Sequence, residues 1–133
     1  MINPLSTSVS GLVAASKKIA DVASNVANAG TEGSLDKSSP NQPYTAVSNV
    51  TESVPGGGVV ATSVPRNPAY VPSYSPDSPF ANEQGMVGVP NVNLDEELIT
   101  MKIAEQAYKA NAQVIRTASE MQDELIRALD EKA

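Results

Sequence analysis

Asp77, Glu83 and the run Asp95-Glu96-Glu97 are the side chains of this sequence with the clearest capacity for chemistry. Paired carboxylates can share a proton as acid and base, or gather around Ca²⁺. No calcium-loop spacing is present, so solvated loop charge and helix-start charge is the plainer reading. The chain has no His and no Cys. That removes the usual general base, the commonest metal ligand, the nucleophilic triads and the thiolate zinc sites. Gly56-Gly57-Gly58 invites comparison with a phosphate-binding loop. Such a loop needs a strand before it, a helix after it and usually a Lys, and none is evident, so a flexible turn is expected. Asn25 and Asn28 lie three apart near the end of a predicted helix. They either cap that end or pair their amides with neighbouring backbone where helices meet a loop, and composition leaves both open. No enzymatic activity, metal or cofactor is expected.

The partners are bounded by charge and hydropathy. Formal net charge is −6, and no basic cluster exceeds the pair Lys17-Lys18. Nucleic-acid binding would need a basic footprint that is missing. No stretch approaches the roughly 20 apolar residues of a membrane span, so direct membrane insertion is not expected. The N-terminus has no basic region, and Pro4, Ser6, Thr7, Ser8 and Ser10 interrupt any apolar run. A cleaved secretory signal is therefore not expected. The absence of Cys excludes disulfides without fixing a compartment.

These side chains must be carried by elements that the pattern makes legible. At 133 residues, one domain is expected, and with aromatics at only 4% it cannot fill a thick core. A long, thin, helix-paired body fits better. Leu5, Val9, Leu12, Ser16, Ile19, Ala23 and Val26 alternate spacings of four and three, a heptad seam on a helix over about Leu5–Ala29. Gly11 and the many Ser, Asn and β-branched residues make this a helix that needs something to pack against. Gly30 is placed to end it in a left-handed cap. Asn93 and Glu96 read as a capping box opening a helix of about 35 residues, about 50 Å long, with no Pro or Gly inside. Its apolar residues spread over two directions, Leu94, Leu98, Met101, Tyr108, Ala112 and Ile115 along one and Ile103, Ala107, Val114 and Met121 along another. Such a helix needs more than one neighbour.

Between the helices, residues 31–92 hold nine of the ten prolines. Tyr44–Val50 and Val59–Val64 are candidate short strands, forming a small hairpin around the Gly run. Tyr70–Phe80 has a Pro every third or fourth residue and favours extended, polyproline-like backbone over any sheet centre. A disordered linker is the alternative for this stretch. The chain thus divides into residues 1–30, 31–92 and 93–133. The fold expected is mainly α, with N- and C-terminal helices packed as a coiled-coil pair around an irregular, short-β, Pro/Gly-rich middle segment.

The string Ala23-Ser24-Asn25-Val26-Ala27-Asn28-Ala29-Gly30-Thr31, after Ser10-Gly11-Leu12 and Ile19, resembles the N-terminal signature of bacterial flagellar axial proteins. Met101 to Val114, with Ala107-Tyr108-Lys109-Ala110-Asn111, resembles their paired C-terminal motif. Asp77 to Val87 and Val89-Pro90-Asn91-Val92-Asn93 narrow the likeness to the flagellar basal-body rod proteins, specifically those of the proximal rod. Met86 stands where that family commonly has an aromatic, and the first helix has Lys17 and Lys18 where many members carry an Arg.

The resemblance implies a structural subunit of the basal-body rod in the periplasm. Such subunits pass through the flagellar type III export apparatus without a cleaved signal, and stack helically with other copies and other rod proteins to transmit torque. The assembly interface expected comprises Leu5, Val9, Leu12, Ile19, Asn25, Val26 and Asn28 of the first helix, and Leu98, Met101, Tyr108, Asn111 and Ile115 of the last. Two other readings stay open: a soluble helical adaptor or chaperone-like binder, and a divergent rod paralogue that no longer assembles.

Overall fold

Two long helices and two small hairpins make up the computed structural model, which describes residues 4–130. In chain order they are α1 (Pro4–Asn28), β1 (Val47–Ser53), β2 (Val59–Pro65), β3 (Tyr70–Tyr74), β4 (Met86–Pro90) and α2 (Leu94–Asp130). Helices account for about half of the chain. Pro4 begins α1, where its missing N–H costs nothing. Asn93 starts α2 by accepting from the N–H groups of Asp95 (3.0 Å) and Glu96 (3.4 Å). The end of α1 differs from expectation. Gly30 is not left-handed, and the last carbonyls are met by the N–H groups of Ala29 and Thr31, which donate to Val26 O and Asn28 O, and by side chains. Asn28 Nδ2 donates to Ser24 O, and the Thr31 hydroxyl donates to Asn28 O.

α1 and α2 run antiparallel. Asn25 reaches Glu97 at one end, Gly11 lies against Asn111 midway, and Pro4 packs beside Ala118 and Met121. Residues 119–130 of α2 continue about 18 Å past that point at a helix's rise. The residues buried in α1 are Ser8, Ala14, Ala15, Val22 and Asn25. They form a stripe turned by roughly a quarter of the circumference from the heptad seam. Val9 and Val26 of that seam are exposed, and Leu5, Leu12 and Ile19 are half-buried. The reason is size. Small residues on α1 meet Ala104 and its neighbours on α2, which lets the backbones approach but carries little hydropathy signal. Counting large apolar residues therefore selects the outward side.

The first hairpin lies along α1. β1 and β2 pair antiparallel from Val47↔Pro65 to Ser53↔Val59, and Gly56, Gly57 and Gly58 make the turn at φ near +95 to +100°. Only glycine adopts three such values in succession without strain. Ser10 Oγ accepts from Val59 N at one end, and the Asn25 amide binds Val47 at the other. Seven-residue strands cover about 23 Å, close to the helical rise from Ser10 to Asn25. β1 starts later than the expected Tyr44, whose hydroxyl donates to Asn25 Oδ1.

The second hairpin corrects the polyproline reading of Tyr70–Phe80. β3 pairs with β4 from Tyr70↔Pro90 to Tyr74↔Met86. Its prolines are tolerated because Gly88, opposite Pro72, turns both its backbone groups away to Gly33. Pro72 and, two residues along, Pro90 therefore stand at positions where no cross-strand N–H is required.

The apolar core consists of Ala14, Ala15, Val22, Ala46, Val87 and Ala104, all small. At the helix crossing, a Cβ on Gly11 would stand 2.6 Å from Asn111 Oδ1 and 2.7 Å from Asn111 Cγ. Gly11→Ala should therefore lower the thermal midpoint, even though alanine favours an isolated helix by about 1 kcal/mol. Adding Asn111→Ala should restore or exceed the wild-type midpoint. An unchanged or raised midpoint in Gly11→Ala alone would show that Asn111 yields to the added methyl and does not hold the crossing.

Candidate functional site

A polar node sits where both helices meet the first hairpin. Asn25, on the last turns of α1, is 1% exposed, and so is Glu97, on the first turn of α2. Asn25 Nδ2 donates to Glu97 Oε1 at 3.1 Å and to Val47 O at 2.8 Å. Its Oδ1 accepts from Val47 N at 3.0 Å and from the Tyr44 hydroxyl at 3.2 Å. Both donors and both lone pairs of the amide are therefore used. Against Val47 the amide acts as a strand would, pairing with N–H and C=O together.

Arg66, immediately after β2, completes the node. Its Nη2 forms the ion pair with Glu97 Oε1, Nε donates to Val47 O (3.2 Å) and Nη1 to Asn91 O (3.2 Å). One guanidinium thus joins β1, the approach to α2 and α2 itself. Its fixed fork suits this task in a way a lysine would not. Burial pushes the Tyr44 hydroxyl above its ordinary value, and the carboxylates of Asp21 and Glu97 act in the same direction. Asp21 provides a second tie, its two oxygens accepting from Asn49 Nδ2 (2.8 Å) and Ser63 Oγ (2.7 Å).

The residues proposed from sequence separate into inner and outer groups. Asn25 belongs to the interior of this chain, out of a neighbour's reach, while Asn28 keeps to its own helix end. The two readings left open for the asparagines are thus divided between them. Asn111 folds back onto Ala107 O beneath Gly11. Met101 and Ile115 are half-buried along the α1-facing side of α2. Leu98 is 57% exposed and Tyr108 43%. Of the acidic run, Asp95 and Glu96 are exposed helix-start charge, as the spacing suggests; Glu97 is not. Arg66 was not singled out by sequence, although it is the one arginine outside the last helix. An isolated cation among prolines was the available signal.

On α2 the exposed charges form their own stripe. Lys109 and Lys102 both bond Glu105 and hold its carboxyl down to about 2. Its contribution is present above the ordinary carboxylate range and lost as pH falls towards that value.

The node makes the two asparagines separable by one isosteric change. Asn25→Asp places a second carboxylate against Glu97 and removes the donor to Val47 O, and should cost about 3–5 kcal/mol in urea unfolding. Asn28→Asp should cost under about 1 kcal/mol. Equal effects would contradict the assignment.

A family model described as flagella basal body rod protein matches residues 5–33. A second, described as flagellar basal body rod FlgEFG protein C-terminal, matches residues 83–128. The first takes in α1 and Asn25, the second β4, α2 and Glu97. The chain is 34% identical over 127 residues to the flagellar basal-body rod protein FlgC of Salmonella typhimurium, spanning 91% of this chain and 92% of that protein. Identity to FlgC of Agrobacterium fabrum is 34% over 116 residues, 84% and 83% of the two chains. For FlgC of Buchnera aphidicola subsp. Acyrthosiphon pisum it is 29% over 127 residues, 91% and 92%. Likeness of this extent, carried through both helices and the segment between them, means that the chain belongs to the flagellar basal-body rod protein family.

Proposed function

We propose that the chain is a structural, non-enzymatic subunit of the bacterial flagellar basal-body rod, in its proximal part, transmitting torque through packed helices. The observation that carries this reading is the bare length of α2. Beside and beyond Pro4 its Met121, Leu125, Ile126 and Leu129 are each more than half exposed. Leu98, Ile99 and Ile103 near its start are equally uncovered. Isolated surface leucines need no explanation, but a row of them along a 37-residue helix calls for neighbours.

The assembly contacts fall to the outer sides of the helices: Leu5, Val9, Leu12, Ile19 and Val26 of α1, and Leu98, Tyr108 and the projecting end of α2. There, coiled-coil pairing with helices of adjacent subunits covers what α1 leaves bare. The partners are other copies and other rod proteins. Delivery is through the flagellar type III export apparatus, without a cleaved signal. Among the described residues no helix is long and apolar enough to cross a membrane, which suits a shaft subunit. No observation favours the adaptor reading.

Leu125→Asp tests this directly. The side chain is 61% exposed in the single chain, so unfolding free energy should move by no more than about 0.5 kcal/mol. Buried at a subunit contact, the same charge has no partner. Swimming and rod formation should therefore be lost although the purified chain remains folded. Normal motility with intact rods would contradict the assigned surface.

A further inference from the structure

Each two-stranded sheet has two outer edges, and three of these four are blunted against further pairing. On β3, Pro72 turns a nitrogen without a proton outwards. On β4, Gly88 is bonded to Gly33, and Pro90 stands two residues further. On β2, Val59 N donates to Ser10 Oγ and Pro65 closes the other end, leaving only Ala61 and Ser63 between them. β1 differs. Its ladder begins with Arg66 N bonded to Ala46 O and ends with Val54 N bonded to Gly58 O. The even-numbered residues of β1 therefore bond β2, and the odd-numbered ones turn their backbone groups away. The Asn25 amide takes those of Val47. The N–H and C=O groups of Asn49, Thr51 and Ser53 are open among the described residues.

This open edge overlooks a groove with α1 as its floor and α2 as its far wall. At one end a cavity of about 250 Å³ lies between Thr51, Ala14 of α1, and Ile103 and Ala107 of α2. Ile103 is 55% exposed, so this end offers apolar surface. The other end, a cavity of about 160 Å³ beside Asn49 and Thr100, is polar. Lys18 lines both cavities and marks where they meet. It is half-buried, and among the described residues it has no ion-pair partner. The carboxylates of Asp21 and Glu97 are engaged by Asn49, Ser63 and Arg66. Glu96 stands exposed at the far end.

We propose that the groove receives an extended peptide segment of another protein, added to β1 as a further strand. Its side chains opposite Thr51 and Asn49 share the inward face of those residues. One is therefore apolar, lying over Ile103, and the other, two residues and about 7 Å along, is acidic and set against Lys18. The Asn25 amide already pairs with Val47 as such a strand does. A second copy does not fit. Pairing its β1 antiparallel with this one would bring its own α1 into the space that α2 occupies. The contact is separate from the outer helix faces assigned to neighbouring subunits and does not depend on them.

A capped synthetic peptide, Ser-Thr-Leu-Thr-Asp-Thr-Ser, is the probe, with amide hydrogen exchange of the full chain as the readout. At saturation, exchange at Asn49, Thr51 and Ser53 should slow several-fold. Thr51→Pro removes the central outward N–H and should abolish the slowing at Asn49 and Ser53. Ala61→Pro makes the same change on the β2 edge, and binding should persist. Lys18→Glu should weaken binding several-fold, and exchanging the peptide's Asp for Lys should recover it. A peptide without effect on these amides, slowing that survives Thr51→Pro, or equal loss in both proline variants overturns the added strand. Failure of the exchanged peptide to recover binding overturns the role of Lys18. Slowing in the chain alone that rises with its concentration gives the groove to a second copy, and overturns the proposal.

Discussion

The buried carboxylate of Glu97 holds this structure in register. Among the described residues the apolar core contains nothing larger than valine, and the largest fully buried side chains are Glu97, Val87 and Asn25. Small apolar groups pack tolerably in many offsets, so volume alone would allow α1 to slide along α2. A carboxylate removed from water tolerates few arrangements. It needs a cation and donors at fixed positions, and an unpaired one is penalised heavily. Arg66 and Asn25 supply both, and each is tied in turn to Val47. One node thereby sets the ends of both helices and the start of the first hairpin.

From that constraint follows the division between inner and outer surfaces. With a polar node fixing position and small residues lining the crossing, the helices come close while burying only Val22 of their large apolar side chains among the described residues. Many of those side chains stay exposed: Val9, Val13 and Val26 on α1, Val50 and Val60 on the hairpin, and Leu98, Ile99, Ile103, Leu125 and Leu129 on α2. The same economy keeps the single chain thin and leaves large apolar side chains exposed on both helices. A structural subunit of the rod has use for this arrangement, since its contact surface must wait for neighbours.

Much of this was legible in the sequence, and what was not has physical causes. Both helices, the glycine turn and the Asn93 cap follow from periodicity and backbone preference, which act locally. The heptad spacing marks one side of α1, but hydropathy does not reveal that the side facing α2 is the one carrying Gly11, Ala14 and Ala15. β4 and its pairing with β3 were hidden because Pro72 and Pro90 are tolerated only in a register that depends on Gly33, more than 30 residues away in sequence. Glu97 reads like Asp95 and Glu96 until Arg66 arrives from another segment. Asn25 showed its importance through the family motif, whereas its partners belong to tertiary structure alone.

The node is tested most directly by a double-mutant cycle on the full chain, with Arg66→Met, Glu97→Gln and the pair together followed by urea unfolding. Each single change should cost about 3–5 kcal/mol, because each leaves a buried group without its partner. The double variant should cost clearly less than the sum, with a coupling energy of about 1–3 kcal/mol. Losses that add within about 0.5 kcal/mol would show that Glu97 and Arg66 act independently, and that the register of the helices is set elsewhere.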